Sequence, residues 1–182
     1  MPSFRLESER LLLRPPDMGD VPAIAAQMND WDVVKNLSRP PFPYTVEDAR
    51  AFVAGQEENR NRGSDFAFAV VLKSGGALVG SCGVHPGEEG YELGYWIGRA
   101  HWGRGYATEA AREVVAFAFR NLRAPDVWAG WFHDNPASGR VLEKVGFRAN
   151  GSQPRTSAAR GCSAACNLVT MSRADFGQRF AA

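Results

Sequence analysis

Gly103-Arg104-Gly105 stands just ahead of Thr108 to Arg120, a run of helix formers without Gly or Pro. Before it lies Tyr91 to Ile97, aromatic and β-branched enough to be a strand. Strand, glycine turn and helix in that order can bind an anion. The first N–H groups of a helix lack intrahelical partners and sit at its positive end, and glycine lets a phosphate approach the backbone. Arg104 adds a formal charge. The same glycines also suit a plain tight turn, and alone they do not choose between the two.

Other groups near this unit could handle protons. Strand alternation puts Glu92 on the face of Gly94 and Trp96, opposite Leu93 and Tyr95. A carboxylate among aromatics can be raised by desolvation toward general-base use; the competing reading is a solvated edge glutamate. His85, placed in a polar loop from His85 to Gly90, is a second base candidate or a surface residue, and Glu88 and Glu89 read as solvated charges. Asn135-Pro136 opens a short helix with Asn as cap, which puts Ser138 in its first turn. Arg140 and Lys144, one turn apart, could reach phosphates or form a solvated face.

The elements that must position these groups follow in order. Phe4 to Arg14 reads as one strand, and Asp20 caps a helix through Met28. Trp31 to Lys35 extends that helix or forms another, and Ser38 to Tyr44 is proline-locked. Thr45 with Asp48 opens a helix to about Arg62. Phe66 to Lys73 is a buried strand, turned by Ser74-Gly75-Gly76 into Leu78 to Val84. The helix from Thr108 carries Ala107, Ala111, Val114, Ala118 and Leu122 on one stripe, with Glu109, Arg112, Glu113 and Arg120 opposite. Val127 to His133 is a strand, and the Asn135 helix stops at Gly146. A strand begins at Phe147 to Asn150, Gly151 to Gly161 is a polar loop, and Ala165 to Ser172 is the last strand. The expected fold is α+β: a mixed, mostly antiparallel sheet of about six to seven strands flanked by helices, with residues 1–182 as a single domain.

Several stretches together resemble the GNAT superfamily of acyl-CoA-dependent N-acyltransferases. They are Leu93–Ile97 (LGYWI), His101–Ala111 (HWGRGYATEAA), Asn135–Phe147 (N-x-x-S-x-R-V-L-E-K-x-G-F) and the N-terminal ESERLLLRP. The similarity covers nearly the whole chain and points to the branch of bacterial ribosomal-protein N-terminal acetyltransferases. The family's pyrophosphate signature falls on Trp102-Gly103-Arg104-Gly105-Tyr106-Ala107, followed by Thr108, with Trp102 in place of the usual Gln or Arg. Trp102 is expected to pack over the turn.

The resemblance implies acetyl-CoA as co-substrate, its pantetheine arm pairing with the backbone of Tyr95, Trp96 and Ile97. A strand N–H would polarise the thioester oxygen. It also implies cofactor contact by Asn135 and a place for Ser138 near the thiol, as proton donor. Many members use a tyrosine in the short helix; here that position is Leu142. The implied reaction is direct acetyl transfer to a primary amine, a protein N-terminus or a small molecule, with Glu92 and Ser138 as catalytic candidates. Trp31, Phe42, Tyr44, Trp131 and His133 could line the acceptor side, and Arg155 and Arg160 could read an acidic group on the substrate. The alternative is a non-catalytic acyl-CoA-binding domain. A dinucleotide-binding fold is excluded because Thr108 stands where the third glycine belongs.

Bulk properties agree with such a protein. Of 182 residues, 45% are hydrophobic and 23% charged, which suits a core-forming globular chain, and a net charge of +1 marks no general nucleic-acid or membrane-surface binder. Three cysteines, Cys82, Cys162 and Cys166, suggest a reducing compartment and no disulfide framework, and no His-Cys cluster suggests a metal. The N-terminus lacks signal-peptide character and no apolar run is long enough to span a membrane. A cytoplasmic monomer or homodimer is expected.

Overall fold

The computed structural model describes residues 4–87 and 90–180. The chain begins with β1 (Leu6–Glu7) and β2 (Leu11–Arg14), then α1 (Val21–Met28), α2 (Trp31–Val34) and α3 (Val46–Arg62). The hairpin β3 (Phe66–Leu72) and β4 (Leu78–Gly87) leads to β5 (Gly90–Ile97) and α4 (Tyr106–Arg120). It closes with β6 (Asp126–Phe132), α5 (Pro136–Val145), β7 (Arg148–Ser157), β8 (Cys162–Ser172) and α6 (Arg173–Phe180).

The strands form one sheet in the order β1-β2-β3-β4-β5-β6-β8-β7. Neighbours are antiparallel except β5 and β6, which are parallel. Helices cover both faces. On one, Val21, Ile24, Met28, Val34 and Val53 from the first three helices pack on Ala69, Val71 and Leu78. On the other, Val114, Phe117, Leu142 and Phe176 from the last three pack on Phe68, Val70 and Leu93. This is why β3, FAFAVVL, is apolar without alternation: both of its faces are buried. The central helix is covered along Ala110, Ala111, Val114, Val115, Phe117, Ala118 and Phe119.

Several boundaries depart from the sequence reading. The sheet has eight strands rather than six or seven. The stretch from Phe4 is broken at Ser8, whose N–H and hydroxyl both turn back to the Leu11 carbonyl, so it makes two strands. Asp17, not Asp20, is the capping side chain; it caps a 3₁₀ turn, Met18–Asp20, that precedes α1, while Asp20 accepts two bonds from Arg14. The Thr45–Asp48 capping box is present as expected. His85 lies in β4 rather than in a loop, because the β4–β5 ladder runs on through His85↔Glu92 to Gly87↔Gly90. Glu88 and Glu89 fall outside the described residues. Residues 151–157, expected as loop, belong to β7: pairing with β8 offsets their polar composition.

The tip of this last hairpin reaches back across the molecule. Ser157 donates to the Leu37 carbonyl, the Ala158 N–H to Ser38, and Arg160 to the Lys35 carbonyl while pairing with Asp134.

The glycine turn before α4 is held by a side chain from the other end of the chain. Glu109 accepts from the Ser8 hydroxyl (2.7 Å), the Arg10 N–H (2.8 Å) and Arg10 Nε (2.8 Å). Arg10 Nη1 also donates to the Arg104 carbonyl (3.0 Å), and its guanidinium lies over the Tyr106 ring. So Glu109 is an anchor, not a solvated face. Glu109→Ala should cost about 1.5–3 kcal/mol, the range for hydrogen bonds to a charged group. A urea midpoint lowered at unchanged m-value would show it; an unmoved midpoint would remove the strap from the account of stability.

Candidate active site

The parallel pair β5 and β6 is joined at only two registered positions, Tyr91↔Val127 and Glu92↔Trp128. Both strands run on, β5 to Ile97 and β6 to Phe132, so they part beyond Glu92. From there the β6-facing backbone edge of β5 has no strand partner among the described residues. A cavity of about 630 Å³ occupies this region, with Gly94 to Ile97 on one wall, the glycine turn and the start of α4 at one end, and Asn135, Ser138 and Arg140 of α5 opposite.

At the α4 end, Gly103 and Gly105 take left-handed backbone conformations (φ 74° and 81°) that glycine adopts without strain. Space beside Gly103 is open: a Cβ built there meets no atom within 4 Å. The helix begins directly after Gly105 with no side-chain cap, so its first N–H groups remain available as donors. Trp102 is 46% exposed rather than packed over the turn, and its indole N–H donates to the Ile97 carbonyl at 2.7 Å, tying the turn to the end of β5. Arg140 and Lys144 are exposed cations on the same cavity.

In the gap itself the structure brings together two residues that the sequence places 43 apart. Tyr95 reaches from β5 to the first turn of α5, its hydroxyl 2.8 Å from Ser138 Oγ and 3.1 Å from the Ser138 carbonyl. Burial pushes the phenol well above its ordinary range, only partly offset by Ser138, so the group holds its proton. Asn135 caps α5 by accepting from the Ser138 N–H, as expected, and also lines the cavity. Leu142 is fully buried in the core. A tyrosine hydroxyl therefore reaches this site from β5 instead of from α5. The side chain of Tyr95 was missed, although its place opposite Glu92 in the strand alternation was the available signal.

On the opposite face of the sheet lies Glu92, 9% exposed. Its Oε2 is 3.1 Å from His85 Nε2, and its Oε1 pairs with Arg155, which stacks over the Trp128 ring. The two base candidates, considered separately in the sequence, are hydrogen-bonded to each other. Burial pushes the Glu92 carboxyl up, but hydrogen bonds and charge from His85 and Arg155 outweigh it, leaving it below the ordinary glutamate value. This corrects the expectation that desolvation would raise it. A carboxylate so held accepts a hydrogen bond from Nε2–H, which leaves Nδ1 as the basic nitrogen of that His85 tautomer. Among the described residues Nδ1 has no hydrogen-bond partner.

Other expected residues lie elsewhere. Of the five proposed for the acceptor side only Tyr44 lines the cavity. Trp31 and Phe42 pack edge-to-face on the surface, Trp131 packs against the core, and exposed His133 faces the Ala165 carbonyl. Arg155 and Arg160 are both engaged within the protein rather than free for a substrate.

Residues 10–148 match the family model described as Acetyltransferase (GNAT) domain. The uncharacterized N-acetyltransferase YnaD of Bacillus subtilis is 31% identical over 151 residues, 81% of this chain and 85% of the relative. A GNAT-family acetyltransferase from Bacillus anthracis, of known crystal structure, superimposes with a TM-score of 0.79 at 28% identity, over 93% of this chain and 99% of that one. RimJ of Mycobacterium smegmatis, solved in complex with CoA-disulfide, shares the fold at TM-score 0.79 and 20% identity, over 96% and 92% of the two chains.

Because Glu92 titrates lower in the folded chain than in the unfolded one, its partners stabilise the fold fully above its unfolded value, about pH 4.3. That contribution is lost as pH falls through the folded value. Glu92→Gln should therefore flatten the fall in unfolding free energy between about pH 5 and pH 3, and lower stability at neutral pH by stranding Arg155. Urea titrations across that range are the check; an acid slope equal to that of the unaltered protein would contradict the ion-pair assignment.

Proposed function

This chain belongs to the GNAT acetyltransferases and is an acyltransferase; from that premise we propose that it moves an acetyl group from acetyl-CoA directly to a primary amine, with residues 1–182 acting as one catalytic domain. The observation that carries the reading is the convergence on one cavity of an uncapped helix N-terminus behind two left-handed glycines and the unpaired edge of β5. A phosphate fits the first, an extended amide-bearing arm the second. Acetyl-CoA, when bound, supplies an activated thioester with a good leaving group.

The residues then divide the work. The turn from Trp102 to Tyr106 and the N–H groups up to Thr108 would hold the pyrophosphate, with Arg104 and Arg140 adding charge. The backbone of Tyr95, Trp96 and Ile97 would pair with the arm, and Asn135 with its amide groups. Tyr95 and Ser138 form a hydroxyl pair that retains its proton and can give it to a departing thiolate. On the other face, the Glu92–His85 pair would take the proton that the amine must lose, Glu92 orienting the imidazole as a carboxylate does in a catalytic triad.

The acceptor side is close to charge balance. Glu92 is matched by Arg155, and Arg39 lines the same cavity as Asp65. An acidic cavity would suit polyamines or aminoglycosides; a balanced one favours a single amine such as a peptide N-terminus.

The deciding experiment is thiol release from acetyl-CoA against N-terminal peptides, polyamines and aminoglycosides side by side. Peptide-dependent release is expected; tight acetyl-CoA binding with no acceptor-dependent release would favour a binding module. Gly103→Leu should weaken acetyl-CoA at least about tenfold, measured calorimetrically, while the fold survives, since the surrounding space is open and left-handed strain costs only about 1–2 kcal/mol. Unchanged affinity would displace the pyrophosphate from the turn.

A further inference from the structure

Glu92 and His85 belong to a longer row. His85↔Glu92 and Glu92↔Trp128 are directly opposite across the sheet, and one step beyond the registered pair Phe66↔Val84 sets Asp65 opposite His85. Directly opposed residues share a face, with Cβ atoms about 5 Å apart. The row therefore reads Asp65, His85, Glu92, then Arg155 stacked on Trp128: acid, imidazole, acid, base. All four charged or titratable groups line the cavity. Asp65 differs from Glu92 in having no ion pair among the described residues, and it is half-buried beside the start of β3.

We propose that Asp65 is a positioning residue which, acting through His85, completes a proton relay from the amine site to the open end of the row. This rests on the reading of the cavity as an amine-acceptor site. The acceptor arrives as an ammonium ion and gives one proton to His85 Nδ1, directly or through water. The electron pair of that N–H bond stays on the amine nitrogen, which becomes the nucleophile. The imidazolium keeps its other N–H on Glu92 Oε2, with its charge between the carboxylates of Glu92 and Asp65. Nδ1–H then gives that proton to the Asp65 carboxylate, directly or through water, which restores neutral imidazole, and the Asp65 carboxylic acid releases it to solvent. Burial raises the Asp65 carboxyl, only partly countered by His85, Arg39 and the Phe66 N–H, which suits a group that takes up and releases a proton.

The groups that act on His85 can be named element by element. Asp65 at the start of β3 and Glu92 on β5 act on it directly; Arg39 in the proline-rich segment acts on Asp65, Arg155 on β7 acts on Glu92, and Cys166 on β8 lies beside Arg155 and Glu92. Burial pushes the Tyr44 hydroxyl, on the same cavity, up to about 12, so it stays neutral.

Asp65→Asn removes one charge and little volume. The chain has three histidines, so His85→Gln assigns the His85 imidazole signals in an NMR titration without any substrate. In Asp65→Asn the midpoint for His85 should fall by about half a pH unit or more, as loss of a nearby anion requires, and Asp65→Glu should restore it. With the peptide acceptor, the acid limb of kcat should move to lower pH by the same amount while acetyl-CoA affinity holds. An unmoved imidazole midpoint overturns the relay, and so does a kcat limb that ignores a midpoint that has moved. Because the imidazole readout needs no turnover, failure of the relay and failure of the transferase reading are seen separately.

Discussion

The parting of β5 from β6 after two paired residues is the constraint on which the rest of the structure depends. Backbone N–H and C=O groups in a sheet interior are ordinarily satisfied by a neighbouring strand, and leaving an edge open in the middle of a covered sheet is costly unless something else occupies it. Here the opening is central, with helices on both faces, so it joins two sides of the molecule that would otherwise be separated. One side carries the glycine turn, Asn135 and the Tyr95–Ser138 pair; the other carries His85, Glu92 and Arg155. Residue 139 helps keep the geometry. A Cβ at Gly139 would lie 2.8 Å from Trp131 Cε2, so a larger residue there would have to displace the indole on which this turn of α5 rests, next to Ser138.

Electrostatics acts differently on the two sides. Around α4, Glu109 is anchored by Ser8 and Arg10, which spends its acidity on holding the turn and leaves the donors of the helix start facing the cavity. On the opposite face a buried carboxylate would be expensive alone, and two partners keep it ionised. Opposite outcomes for similar groups follow from their partners: Glu92 is lowered by His85 and Arg155, whereas Asp65, without an ion pair among the described residues, is raised by burial.

Much of this was legible in the sequence, and for identifiable reasons. The strand–glycine–helix unit is local, as are the Asn135 cap and the Thr45–Asp48 box, and each rests on residue types a few positions apart. The apolar run of β3 announced a strand buried on both faces. What could not be read was set by partners far along the chain. Polar β7 looks like a loop until β8 supplies its ladder, and His85 looks like one because the β4–β5 hairpin is longer than its apolar part. Desolvation of Glu92 could be argued from its aromatic neighbours; the cation that reverses its effect lies 63 residues on. Arg10 carries no local sign of its role, since its partner is 99 residues away.

The β7–β8 hairpin has a further consequence for the order in which the molecule is completed. The family match ends at residue 148, where this hairpin begins, and Arg155 lies beyond it. During synthesis from the N-terminus, the glycine turn, α4 and α5 all emerge before residue 155 does. Until the hairpin folds down and its tip ties to residues 35–38, Glu92 lacks its arginine, and the Leu37 and Ser38 carbonyls lack the hairpin-tip donors that satisfy them. The guanidinium that pairs with Glu92 and the donors that reach residues 35–38 thus come from the last stretch of chain, which ties the C-terminal hairpin to the cavity wall built by the earlier strands.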